Sequence, residues 1–195
     1  MPEESLSAKL SSNCLSTRTH LHALIVASRN PANERSLAWF FKVIWPQIYT
    51  LIDNLTIVGN INLSFESYRH PKVTFTGIVE NLQNAYSQAD VVILPITNGG
   101  GIAIKTLEAI QAELPIVCTA HAMRGLPMEV QEALPGNITD IDMINDLTEL
   151  ASSPEALRTR AEQVRLAHQK LISIGFDKQL NQELDRFCGF SRSSV

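Results

Sequence analysis

Five stretches of strand length, "LHALIVAS" (21–28), "NLTIVGN" (54–60), "KVTFTG" (72–77), "DVVILPI" (90–96) and "PIVCTA" (115–120), run apolar without the alternation of a strand that has one wet face. Strands of this kind are covered on both faces, which is the signature of a parallel sheet between layers of helix. The segments between them carry helical spacing. After Asn33, a candidate cap, Leu37, Phe40, Phe41, Ile44 and Ile48 recur every three to four residues as one buried face, and Pro46 lies near the end where it would kink the helix. "IVENLQNAYSQA" (78–89) and "IAIKTLEAIQAE" (102–113) are shorter helices, each leading into the next apolar run. The alternation predicts an α/β fold with a Rossmann-like, doubly wound parallel sheet.

After Pro127 the pattern turns to helices alone, over 140–151, 154–175 and 177–190, punctuated by Pro154 at a first turn and Gly175 just past an end. The expected organisation is a flexible Ser/Thr-rich leader (1–20), a Rossmann-like domain (21–138) and a C-terminal all-helical tail (139–195) packed on the same domain.

Composition narrows the function. Sixteen Lys and Arg against twenty Asp and Glu give a net charge of −4, with no basic stripe to draw the chain onto nucleic acid or anionic lipid. Cys14, Cys118 and Cys188 are too few and too scattered for a disulfide framework or a CxxC zinc site, which points to a reducing, cytoplasmic setting. The polar start has no signal-peptide core, and no apolar run approaches a membrane span, so the expected chain is soluble. His20, His22, His70 and His168 show no metal-ligand spacing, and no metal is expected.

The most informative turn is "PITNGGGIAIKTLEAI" (95–110), between the fourth run and the following helix. It misses the triphosphate loop GxxxxGK[ST] by one residue, because Ile104 stands where the second glycine must let the backbone wrap a phosphate. Three glycines ahead of a helix still let a ligand approach the backbone, while the first free N–H groups and the positive dipole end attract an anion. The plain alternative is a glycine turn that only joins strand to helix. Lys105 and Glu108, three residues apart, share a helix face. They make either a weak surface ion pair or a functional set in which Lys105 meets phosphate oxygens and Glu108 two adjacent sugar hydroxyls.

"GGGIAIKTLEAIQAELPIVCTAHAMRGLP" resembles the donor-binding motif of group 1, family 4-like glycosyltransferases of the GT-B fold, and the likeness in order and spacing covers about residues 21–127. The resemblance implies one half of a GT-B fold, the C-terminal half that binds a nucleotide-sugar. It puts Glu108 on the ribose, Gly100, Gly101 and Ile102 against the diphosphate and sugar, Lys105 near the phosphates, Gly77 and Ile78 beside the base, and Arg29 in the loop where such enzymes often carry a cationic phosphate contact. His121, in the "AHAMRGL" turn, would face the donor. Catalytic residues are not assigned, and no cofactor is implied beyond the nucleoside-diphosphate-sugar itself, consistent with metal-independent chemistry. Two positions depart from the family: Gly100 stands where many members carry a Glu on donor-sugar hydroxyls, and Ala103 where many glycine-rich members carry Arg.

The first strand starts within about twenty residues of Met1, so the expectation is a chain without the acceptor-binding N-terminal half. It would transfer a sugar, with retention, only alongside a complementary half. The alternative is a non-catalytic binding module or remnant that keeps the fold. A flavodoxin-like or receiver-like domain fits the sheet but leaves Glu108 unexplained, and a Cys118–His121 nucleophile–base pair is disfavoured because Cys118 lies within an apolar strand.

Overall fold

The structure is a computed structural model that describes residues 21–100, 104–134 and 136–176. The leader and the helix expected over 177–190 lie outside the described residues. Five strands, β1 (Leu21–Val26), β2 (Ile52–Val58), β3 (Val73–Gly77), β4 (Val91–Leu94) and β5 (Ile116–Cys118), form one sheet in the order β3-β2-β1-β4-β5, every pair parallel. This is the doubly wound sheet the sequence predicts, with its direction reversing between β1 and β4.

Alternate side chains of the same strands enter two cores, as a pleated strand buried on both faces requires. On one face Leu24, Val26, Val92, Leu94 and Ile116 pack with Ala109 and Ile110 of α4 (Ile104–Gln111). On the other, Ala23, Ile25, Leu55, Ile57 and Ile93 meet Leu37 of α1 (Pro31–Trp39) and Ile48 of α2 (Trp45–Ile48). A short α3 (Leu82–Ser87) precedes β4, and α5 (Met128–Ala133) follows β5.

Helices α6 (Asp140–Ser152) and α7 (Pro154–Ser173) divide between the faces. Met143, Leu147 and Leu150 of α6 join the α1 side, whereas Val164, Ala167 and Leu171 of α7 join the α4 side. Thr139 and Asp142 close a capping box on α6, and Ser153 with Pro154 starts α7. Arg160 clamps the two helices over the start of β5. Its Nη2 and Nη1 donate to the two carboxylate oxygens of Asp146 at 2.6 and 3.0 Å, and Nη1 also donates to Ile116 O at 2.8 Å. No described helix is long and apolar enough to cross a membrane.

Several local expectations are corrected. The cap of α1 is Asn30 rather than Asn33: Asn30 Oδ1 accepts the Asn33 N–H at 2.9 Å, and Pro31, with its φ already helical, holds a first-turn position. Pro46 does not end the helix in a simple kink. Having no N–H, it follows a π-helical turn over Phe40–Ile44 in which Trp45 N reaches back five residues to Phe40 O. The helix expected over 78–89 contracts to α3, because Asn81 caps it by accepting from Gln83 N. The chain after Pro127 is not helical throughout. Asn137 forms a parallel bridge with Thr119, its O accepting from Ala120 N and its N donating to Cys118 O, both at 2.7 Å.

Candidate functional site

The carboxyl ends of all five strands open on one edge of the sheet, the edge where open α/β sheets bind ligands. At the switch point between β1 and β4, the loop after β4 is tied to α1: Ser36 Oγ accepts from Thr97 N at 3.1 Å and shares a hydroxyl hydrogen bond with Thr97 Oγ1 at 3.1 Å. Thr119, after β5, donates its hydroxyl to Ile96 O, and a 3₁₀ turn follows over Ala120–Met123. The sequence gives no signal for either tie, since Ser36 and Thr97 lie 61 residues apart.

This turn and the glycine loop are strapped together. His121 Nε2 lies 3.1 Å from Gly99 O, to which it donates in the tautomer that protonates it. Arg124 donates from Nη1 to His121 O at 3.1 Å and from Nη2 to Gly100 O at 3.3 Å. Gly99 has φ +128, and a Cβ there would meet Arg124 Nη2 at 3.2 Å, so a glycine lets the guanidinium lie against the loop. Arg124 escaped the reading of the sequence: the turn holding it was visible, but not which cation reaches the loop.

Beside this strap Lys105 Nζ sits 3.0 Å from Glu108 Oε2, with each side chain about one-third exposed. The Glu108 charge is felt at Tyr86 on α3, whose phenol is held well above its usual range by burial first and by Glu108 second. Gly101 and Ile102 lie outside the described residues. Ile104, apolar as it is, does not pack α4 onto the sheet but is 48% exposed, while Thr106, Leu107, Ala109 and Ile110 turn inward. Thr106, fully buried, satisfies its hydroxyl by donating to Ala122 O at 2.6 Å, which joins α4 to the turn after β5.

The remaining expected residues form a second group at the ends of β1, β2 and β3. Arg29 N donates to Asn60 Oδ1 at 2.6 Å, while its guanidinium, 54% exposed, makes a loose pair with Glu34 at 3.7 Å. Gly77, with φ +71, accepts from Gly59 N at 2.7 Å, and the adjoining Ile78 is 80% exposed. The Ser36–Thr97 tie is what links this group to the glycine loop.

Cys118 is no nucleophile. It is buried, and burial pushes its thiol up to about 12, with Arg160 pulling it down and Asp146 pushing it up by smaller amounts. With Cys14 and Cys188 replaced by serine, Cys118 is expected to resist iodoacetamide at pH 8 until the chain unfolds. Rapid alkylation of the native chain would contradict that burial.

A groove of about 600 Å³ lies elsewhere, on the sheet face over β1 to β3, lined by His22, Asn54, Thr56, Glu80, Asn84 and Gln88 among others. It holds amides, hydroxyls and one carboxylate but no Lys or Arg, so an anion finds no countercharge there. Among the described residues no three His, Cys, Asp or Glu converge as a metal site.

Residues 21–153, more than half of the chain, match the family Glycosyl transferases group 1. The chain belongs to that family. Solved structures of GT-B glycosyltransferases share the fold of this group 1 chain. HepE from Anabaena, in complex with UDP and glucose, is 13% identical with a TM-score of 0.62, over 95% of this chain and 53% of its own. TarM is 15% identical with a TM-score of 0.62, over 88% and 36%. WaaG, a glycosyltransferase involved in lipopolysaccharide biosynthesis, is 19% identical with a TM-score of 0.58, over 85% and 46%. The chain thus spans about half the length of HepE and WaaG and about a third of TarM. No match to a curated protein reaches significance.

Proposed function

We propose that this chain is the nucleotide-sugar-binding half of a retaining glycosyltransferase, which transfers a sugar to an acceptor hydroxyl together with a complementary N-terminal half. The observation that carries the reading is the Lys105–Glu108 pair, half-buried on the first turns of α4 at the carboxyl edge, directly after the glycine loop. A carboxylate accepts hydrogen bonds from two vicinal hydroxyls, as a ribose presents them. A lysine and the start of a helix favour the phosphates that follow. Lys105 and Glu108 satisfy each other's charge, so binding would exchange Lys105–Glu108 for Lys105–phosphate and Glu108–ribose.

Family membership and the UDP and glucose named with HepE support this substrate class. In transfer, Lys105 and the amides of the helix start would stabilise charge as the nucleoside diphosphate departs. Gly77 and the exposed Ile78, at the end of β3, would border the base, and His121 would hold the loop through Gly99 O.

Calorimetric titration with UDP, GDP and ADP tests the reading. One of the three is expected to bind, and Glu108→Ala to weaken that ligand about 10- to 100-fold, the worth of hydrogen bonds to a charged group. The absence of heat with all three would remove the proposal. Binding without transfer in the presence of a complementary half would favour the non-catalytic module.

A further inference from the structure

Arg124 and Arg160 each donate to a backbone carbonyl but differ in their remaining partners. Arg160 is well paired: Nε donates to Gln163, and the guanidinium head to Asp146 and Ile116 O. Arg124 spends one bond on His121 O and one on Gly100 O, both neutral acceptors. Its Nε is buried and has no partner among the described residues, and no described carboxylate lies within 4.0 Å of the guanidinium. A part-buried cation with an orphaned donor is costly unless something negative completes it.

The orphan has company. Asn98 Oδ1, on the same loop, is buried without a donor, its amide nitrogen already given to Thr97 Oγ1 at 3.1 Å. The loop and turn therefore present one unspent N–H of a cation and one unspent acceptor. An anionic oxygen answers the N–H of the cation, and a hydroxyl answers the acceptor. The two carbonyl bonds and the His121–Gly99 bond fix the guanidinium in place before any ligand arrives, so little side-chain freedom is lost on binding.

We propose that Arg124 is an anion-receiving residue of the donor site, taking an anionic oxygen of the substrate through its free N–H groups while its bond to Gly100 O holds the glycine loop and its bond to His121 O anchors it to the turn. This rests on the function proposed above and adds a third cation to Lys105 and Arg29: those two pair with Glu108 and Glu34, whereas the partners of Arg124 are neutral carbonyls. The anion is the diphosphate or a carboxylate on the donor sugar, which share this chemistry.

Titrations of the wild-type, Arg124→Gln and Arg124→Lys chains with uridine, UDP, UDP-glucose, UDP-glucuronate and pyrophosphate test it, with the adenosine and guanosine series alongside. Arg124→Gln is expected to lose about 10- to 100-fold for the ligands bearing the received anion and nothing for the nucleoside, with Arg124→Lys in between. Equal losses for UDP, UDP-glucose and UDP-glucuronate identify the diphosphate, and a loss confined to UDP-glucuronate identifies the sugar carboxylate. Unchanged affinities in both variants, or a proportional loss for the nucleoside, would overturn the inference and leave Arg124 a loop brace. Should no nucleotide bind the wild type, the proposed function falls. Arg124-dependent pyrophosphate binding would then still sustain the anion role, and its absence would end that role too.

Discussion

A Gly59→Ala chain is expected to lose at least about 3 kcal/mol of stability, measured as a lowered midpoint in urea, because strain and overpacking act together there. Gly59 has φ +118, and a Cβ at that position would stand 2.1 Å from Ala27 O and 2.9 Å from Ala27 C. Neither strand end can retreat cheaply. Ala27 N donates to Val58 O at 2.8 Å and Gly59 N to Gly77 O at 2.7 Å, so β1, β2 and β3 are pinned together where they reach the site. Gly100→Ala is the control, since a Cβ there meets nothing within 4 Å among the described residues. It is expected to change stability by less than about 0.5 kcal/mol in either direction. A Gly59→Ala chain as stable as the wild type would mean that the ends of β1 and β2 do not meet in this way.

The second large effect is at the clamp of the helical tail. Asp146 and Arg160 have side chains 11% and 19% exposed, and Asp146 Oδ2 also accepts from Asn137 Nδ2 at 3.0 Å. Removing one member leaves the other charge sequestered without its counter-ion. Asp146→Ala or Arg160→Met alone is expected to cost about 2–3 kcal/mol, somewhat below the range for fully buried pairs because water still reaches this one. The double variant should cost clearly less than the sum of the singles, with a coupling above about 1 kcal/mol. Strict additivity would mean that the two helices are held on opposite faces of the sheet by their apolar contacts alone.

The sheet was legible because its strands are apolar on both faces, which leaves Leu24 and Ile25, or Val92 and Ile93, no alternative to two separate cores. The first two helices of the tail were legible for another reason: Pro154 at the first turn of α7 and Gly175, with φ +66 just past its end, are strong local signals that the tertiary structure leaves in charge. Local signals failed where two residues could do the same work. Asn30 and Asn33 are both good caps, and Pro31 decides between them only once the chain direction out of β1 is known. Hydrophobicity would rank Ile104 for the core, whereas the rotation of α4 gives that place to Thr106, a polar residue whose partner is 16 residues away.

The candidate site was legible as spacing and not as circuitry. Lys105 and Glu108 follow from a three-residue offset on a helix. The strap through His121 and Arg124 does not, because no local pattern says which cation ends with a carboxylate and which with two carbonyls. Counterion bookkeeping needs the fold.

The central claim is that the carboxyl edge of the sheet receives a nucleoside diphosphate. Amide chemical-shift mapping of the ¹⁵N-labelled chain, titrated with UDP, GDP and ADP, tests it most directly. Shifts for the ligand that binds are expected to gather on Arg29, Gly59, Gly77, Ile78, Thr97 to Gly100, the first turn of α4 and His121 to Gly125, and to fade in Glu108→Ala. Shifts gathered on the groove around His22, Asn54, Asn84 and Gln88, which has no Lys or Arg, or none with any of the three at millimolar concentration, would contradict it.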